Sequence, residues 1–195
     1  MSLMAELWIW RHPRPDGAAG RCIGAGSDLP VDPRRAKRLA HRIRRQARRA
    51  GLPRVVATSR LRRCADVGRW LRRWGWRHHI DDRLAELHFG NWDGRRWTEI
   101  AFAEVAAWEA DFLGHAPGGG ESLAALRQRQ AEWLDESGDL RARLVVGHAG
   151  WINALRTRHL PQLSAADWPR PLRYGRCWRE PGAPHPPLQA EPDEP

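Results

Sequence analysis

The sequence predicts an α/β fold, a three-layer α/β/α arrangement around a mostly parallel sheet with a small helical insert over one rim. Three observations predict it. Short apolar runs alternate with longer segments of helical period along the whole chain. Alternation of that kind builds parallel strands whose two faces are both covered by helices. Two of the three most apolar runs stop at Arg11-His12 and His148 and the third stops at Ser59, shortly before Arg62 and Arg63; in open parallel sheets ligands bind beyond the carboxyl ends of the strands. At 195 residues the chain is most simply one domain, with room for a real core.

In chain order, "LWIW" at 7–10 reads as a buried strand that runs into Arg11, His12 and two prolines, where regular structure must stop. Residues 34–50 read as a helix, because Ala36, Leu39, Ala40, Ile43, Ala47 and Ala50 form an apolar stripe and arginines fill the other face. "RVVAT" at 54–58 is a strand ending at Ser59 and leading to Arg62 and Arg63. A helix follows from about Cys64 to Arg73, then a weak strand at His78 to Ile80 and helices near 98–112 and 121–136. "RLVVGHAG" at 143–150 is strand into turn and delivers His148, a helix runs from Trp151 to about His159, and "PLRYGRCW" at 171–178 is a last strand. The domain expected from these elements spans 4–180, with the helical insert at about 95–136. Residues 1–3 read as a leader outside the fold. The tail 181–195 holds prolines without apolar periodicity and reads as disordered.

Net charge is +10, but it is unevenly placed. Residues 34–77 carry seventeen Lys and Arg against the single acid Asp66, so the rest of the chain is net acidic. A solvated helix face explains this more simply than a phosphate-tracking surface, because no aromatic residue interrupts the helix at 34–50 for base stacking. Nucleic acid is therefore not the expected partner; an anionic small molecule would be drawn by the same field. No run approaches the length of a membrane span and no secretory signal pattern opens the chain, so a cytoplasmic protein with no membrane association is expected. Cys22, Cys64 and Cys177 are odd in number and widely spaced, which argues against a disulfide framework or a zinc site. Composition leaves the oligomeric state open.

If the three strand ends converge, Arg11, Arg63, His12 and His148 surround a volume suited to a phosphoryl group. Neighbouring guanidinium groups disfavour imidazolium, so His12 would keep a lone pair able to attack phosphorus. The leaving oxygen then needs a proton, and Glu86 in "LAELHFGNWDG" at 84–94 is placed to supply it.

These motifs resemble those of the histidine phosphatase superfamily, also called phosphoglycerate mutase-like, from about Leu7 to Trp178. "RHP" at 11–13 is similar to its Arg-His-Gly opening, with Pro13 for the glycine. "TSRLRRC" at 58–64 aligns Arg63, "LAELHFGNWDG" aligns Glu86, "PGGGES" at 117–122 matches a Gly-rich turn, and "VVGHAG" at 145–150 aligns the second histidine. Arg60, Val67 and Asp93 depart from the residues common in relatives at those positions.

The resemblance implies that His12 becomes a phosphohistidine while Arg11, Arg63 and His148 hold the phosphoryl oxygens. It implies Glu86 as acid and then base, and no metal or other cofactor. Within the family, "GRCIGAGSDLPV" at 20–31 and "YGR" at 174–176 resemble the subgroup acting on alpha-ribazole 5'-phosphate in cobalamin synthesis. The expected partner is thus a small phosphomonoester. Ser27, Ser59, Trp92 and Trp151 are candidate substrate contacts, although core packing is the better explanation of both tryptophans. Two rival readings stand beside the phosphatase: a phosphoglycerate-type phosphomutase, which usually needs a longer chain, and a basic nucleic-acid-binding module built on residues 34–77.

Overall fold

A computed structural model of the chain describes residues 6–136 and 142–180. The tail 181–195 and the leader lie outside the described residues. The five strands are β1 (Glu6–Arg11), β2 (Val55–Thr58), β3 (Arg77–Ile80), β4 (Ala142–Gly147) and β5 (Cys177–Arg179). The helices are α1 (Pro33–Arg49), α2 (Arg62–Arg73), α3 (Phe102–Ala110), α4 (Leu123–Glu136) and α5 (Ala149–Arg156). The strands form one sheet in the order β3-β2-β4-β1-β5, parallel except for β5, which runs antiparallel to β1.

Each face of the sheet has its own core. On one side Trp8, Trp10, Leu144 and Val146 pack with Ala36, Leu39, Ile43 and Ala47 of α1 and Val67 and Leu71 of α2. On the other, Leu7, Ile9 and Val145 pack with Leu123, Leu126 and Trp133 of α4 and Ile152 and Leu155 of α5. The period-two alternation of β1 and β4 thus sorts apolar side chains between two helical layers, which is why both strands read as unbroken hydrophobic runs. Helix α1 starts where Asp32 accepts the Arg34 amide at 2.7 Å, with Pro33 preset in the first turn.

Helix α4 belongs to the second core layer, because its apolar face shares a cluster with Leu7 and Ile9 of β1. The helix expected at 98–112 forms only over Phe102–Ala110; a 3-10 turn at Trp97–Glu99 precedes it, and Ile100 and Phe112 are buried outside it. None of the α3 residues is buried, and Phe102 is 85% exposed. The last strand is also shorter than expected, since Gly175 at φ +72° turns the chain just before it. Among the described residues, no helix is long and apolar enough to cross a membrane.

Candidate active site

Strands β1, β2 and β4 end on the same rim of the sheet and deliver His12, Ser59 and His148 there. His12 continues the β1–β4 ladder by donating its amide to the Gly147 carbonyl at 3.0 Å, which places its ring beside that of His148, 5.1 Å between centroids. Its Nδ1 lies 2.7 Å from the Pro13 carbonyl oxygen. A carbonyl can only accept, so Nδ1 carries the proton and Nε2 keeps the lone pair. Burial, then the positive charges of Arg63 and Arg11, holds His12 well below the usual imidazole range.

Arg11 is fixed from two directions. Its Nη1 donates to the Leu172 carbonyl at 2.6 Å and its guanidinium carbon lies 3.8 Å from the Tyr174 ring centroid. Its Nε is buried without a hydrogen-bond partner. Burial lowers its pKa from the ordinary arginine value, against the raising influence of Tyr174 and Glu86.

Glu86 sits at the start of α5. Its carboxylate accepts the amides of Leu87 at 3.0 Å, Gly150 at 3.1 Å and Trp151 at 3.1 Å. Gly150 is what lets the carboxylate approach so closely, because a Cβ there would lie 2.5 Å from Glu86 Oε1. Arg129 holds the segment from behind. It donates to the carbonyls of Arg83, Ala85 and Glu86 at 2.6, 2.9 and 3.1 Å, and pairs with Glu121 at 2.6 Å.

Arg63 and His148 occupy a layer behind these groups. Arg63 is 1% exposed and His148 fully buried. Arg63 donates to the carbonyls of Ser27 and Gly24, the latter at 2.9 Å, and its Nε to His148 Nδ1 at 3.2 Å. Since arginine only donates, His148 Nδ1 is the acceptor and Nε2–H donates to Ser59 Oγ at 2.8 Å. Burial, then Arg63 and His12, holds His148 well below the usual imidazole range. The Cys64 thiol lies 3.3 Å from the same nitrogen, and burial pushes its pKa up to about 12.

A cavity of about 310 Å³ opens at this rim, with Arg11, His12, Glu86 and Gly150 at one end and Phe89, Trp97, Trp108, Trp168 and Tyr174 among its walls. Arg63 and His148 are not among the residues that line it: Arg63 donates to the carbonyls of Ser27 and Gly24, and His148 to Ser59. None of the four candidate substrate contacts lines it either. Ser59 holds His148, and Ser27 donates to Asp93 at 2.9 Å. Trp92 is fully buried and donates to Glu104 at 3.1 Å, and Trp151 is fully buried and donates to the Arg83 carbonyl at 2.9 Å.

Sequence reasoning missed the groups that position the site. Asp93 accepts the amides of Gly24, Gly26 and Phe89 at 2.6, 3.1 and 3.1 Å as well as the Ser27 hydroxyl, tying the Glu86 segment to the loop that meets Arg63. A carboxylate directly after Trp92 was visible in the motif, but three of its partners come from a loop 66 to 69 residues earlier in the chain. The Gly-rich turn at 117–120 also has a tight-packing role: a Cβ on Gly120 would lie 2.0 Å from the His88 carbonyl oxygen.

Comparison with known proteins agrees with this architecture. The model of the histidine phosphatase superfamily (branch 1) matches residues 7–177. The adenosylcobalamin/alpha-ribazole phosphatase of Salmonella typhimurium is 30% identical over 106 residues, covering 51% of this chain and 52% of the relative. The glucosyl-3-phosphoglycerate phosphatase of Mycobacterium tuberculosis is 33% identical over 132 residues, covering 60% of this chain and 58% of the relative. The matches thus span little more than half the length of these curated relatives. Among solved structures, mycobacterial glucosyl-3-phosphoglycerate phosphatase complexed with VO3 superposes with a TM-score of 0.72 at 26% identity, covering 90% of each chain. The alpha-ribazole phosphatase from Shigella flexneri shares the fold, with a TM-score of 0.68 at 23% identity over 89% of each chain.

Proposed function

The chain belongs to the histidine phosphatase superfamily, and we propose that it hydrolyses phosphomonoesters through a phosphohistidine formed on His12. The observation that carries this reading is the pinned tautomer of His12, whose Nδ1–H is spent on the Pro13 carbonyl while its ring forms part of the cavity wall. Nε2 attacks phosphorus, the bond to the leaving oxygen breaks, and Glu86 delivers the proton that oxygen requires. Water then attacks the phosphohistidine with Glu86 taking its proton, which restores the imidazole and releases phosphate. Arg11 meets the developing charge from the wall of the cavity. Arg63 acts from behind it, through its field and the N–H groups not spent on Gly24 and Ser27. His148 holds Arg63 in place through Nδ1. The reaction so written needs no metal, because protein cations supply the compensating charge.

The walls support a substrate class. Five aromatic side chains face the volume next to Arg11 and His12, which suits a leaving alcohol carrying a planar aromatic group. Alpha-ribazole 5'-phosphate fits that description and is in line with the Salmonella relative. Arg21 favours a second reading: it joins Arg11 as the other arginine lining the wall, placed to pair a carboxylate such as that of glucosyl-3-phosphoglycerate.

The test is phosphate release from each compound in excess EDTA, with His12→Ala as the paired control. Turnover of the ribazole ester that disappears in the variant is the expected result. Turnover of the glucosyl ester alone would move the substrate to the second reading, and release that survives in His12→Ala would overturn the mechanism.

A further inference from the structure

The basic segment of the chain has no part in the cavity, since no residue of α1 or α2 lines it. Its cations cover the outer face of the first helical layer. Helix α1 carries nine Lys and Arg and no acid, with like charges four residues apart at Arg34 and Arg38, Arg44 and Arg48, and Arg45 and Arg49. Each such pair costs about 0.2–0.5 kcal/mol. Relief from carboxylates is sparse: Arg35 pairs with Asp16 and Arg69 with Asp66, but among the described residues no carboxylate reaches Arg44, Arg48, Arg72 or Arg73.

The structure adds what the sequence of α1 lacks. Trp70 and Trp74, one turn apart on α2, are only partly buried and lie against that face, with ring centroids 6.0 Å apart. Lys37 and Arg73 lie over Trp70 at 5.1 and 4.7 Å, Arg44 lies over Trp74 at 5.5 Å, and the His41 ring lies 4.2 Å from that of Trp74, tilted by 36°. A groove of about 320 Å³ runs beside them, lined by His41, Arg42, Arg44, Arg45 and Arg48.

We propose that the outer face of α1 and α2 is a docking surface for single-stranded nucleic acid. Eight of the nine cations of α1 are arginines, whose planar fork matches phosphate oxygens two at a time. The two indoles supply stacking platforms beside the groove, and aromatic rings interleaved with cations are the combination that single strands require. In the free protein the flexible Lys37, Arg44 and Arg73 side chains rest on the indole faces. Swinging outward to phosphates, they open those faces to bases. A membrane surface fits less well, because surface-bound helices insert an apolar face, and Ala36, Leu39, Ala40, Ile43 and Ala47 of α1 are all turned into the core.

The experiment is fluorescence anisotropy of a fluorescein-labelled 15-nucleotide oligouridylate titrated with the full chain at 50 and 200 mM NaCl. Vesicles of phosphatidylglycerol and phosphatidylcholine are run as a second arm by co-sedimentation. Neutralising about five phosphates gives a log–log salt slope near −3.5 and about a hundredfold loss of affinity over that range. The triple variant Arg44→Gln, Arg48→Gln, Arg73→Gln, made only of exposed side chains, is expected to flatten the slope by about 2.

Trp74→Leu is expected to weaken binding about tenfold with the slope unchanged, and Trp74→Phe to restore most of it. Phosphate release by each variant serves as the folding control, because none of these residues lies at the cavity. Three results would overturn the proposal: no RNA binding at 50 mM salt, equal affinity of Trp74→Leu and the parent chain, or sedimentation with anionic vesicles at protein concentrations where RNA stays free.

Discussion

Arg63 and Arg44 are the same side chain in two different surroundings, and the contrast organises the molecule. Arg63 is 1% exposed, with one N–H of each terminal nitrogen on the carbonyls of Gly24 and Ser27 and its Nε on His148. Arg44 is exposed and rests over the face of Trp74. A buried cation acts at low dielectric, so it can depress the pKa of His12 and stabilise developing charge. An exposed one is screened within about 8–10 Å at ordinary ionic strength. In the proposed functions the rim of the sheet acts with few charges, whereas the outer face of α1 and α2 acts only by summing many.

The contrast can be broken first at His12. His12→Ala is expected to lower phosphate release by at least about 10⁴-fold while the fold persists, measured by steady-state turnover with circular dichroism as control. Arg63→Ala comes next. It strands two buried carbonyls and the Nδ1 of His148, each worth about 1–3 kcal/mol when left unpaired, so urea denaturation should register a loss of about 3 kcal/mol or more. Turnover should fall about 10²–10³-fold in the same variant. Arg44→Ala should leave turnover unchanged and stability within about 0.5 kcal/mol, and a larger cost would mean that the outer cations are structural.

Asp93→Asn tests the tie between the loop at 24–27 and the Glu86 segment. With four donors converging on one carboxylate, a loss of about 2 kcal/mol and a raised KM are expected, because the loop also supplies the carbonyls that hold Arg63.

A pH effect also belongs to the buried pair. His12 and His148 bind protons less readily folded than unfolded, since burial and neighbouring guanidinium groups hold both well below the ordinary imidazole range. As pH falls below about 6.5, the unfolded chain takes up protons that the native state refuses, so stability should decline by about 1 kcal/mol per pH unit for each histidine. Their contribution is steady above that range. Chemical denaturation between pH 7 and pH 5 in parent and His12→Ala should show a shallower decline in the variant.

The strands that build the rim were legible because "LWIW", "VVAT" and "LVVG" are runs that only a doubly covered sheet accommodates, and their endings at His12, Ser59 and His148 marked the site. What could not be read was depth. Whether Arg63 reaches a ligand or stands behind the wall depends on where the loop carrying Gly24 and Ser27 folds back, and that is set by Asp93 across a long stretch of chain. The indoles divide by depth as well. Trp92 and Trp151, next to the motifs, are core, whereas Trp97, Trp108 and Trp168 reach the cavity from the insert and from the loop after α5. Helix α3 was overextended because Ile100 and Phe112 keep helical spacing while being buried from flanking turns. Trp70 and Trp74 escaped notice as neighbours of the arginine face because they belong to the next helix, and only packing places them beside Lys37, His41 and Arg44.

The most direct measurement is to mix the protein with a phosphomonoester that it turns over, quench with alkali within the first turnover, and map the phosphoryl group by peptide mass spectrometry. The account predicts an acid-labile phosphoryl on the peptide containing His12, formed before phosphate release reaches its steady rate and absent in His12→Ala. Turnover with His12 unlabelled, or with the group on another side chain, would contradict it and leave direct attack by water or a different nucleophile in its place.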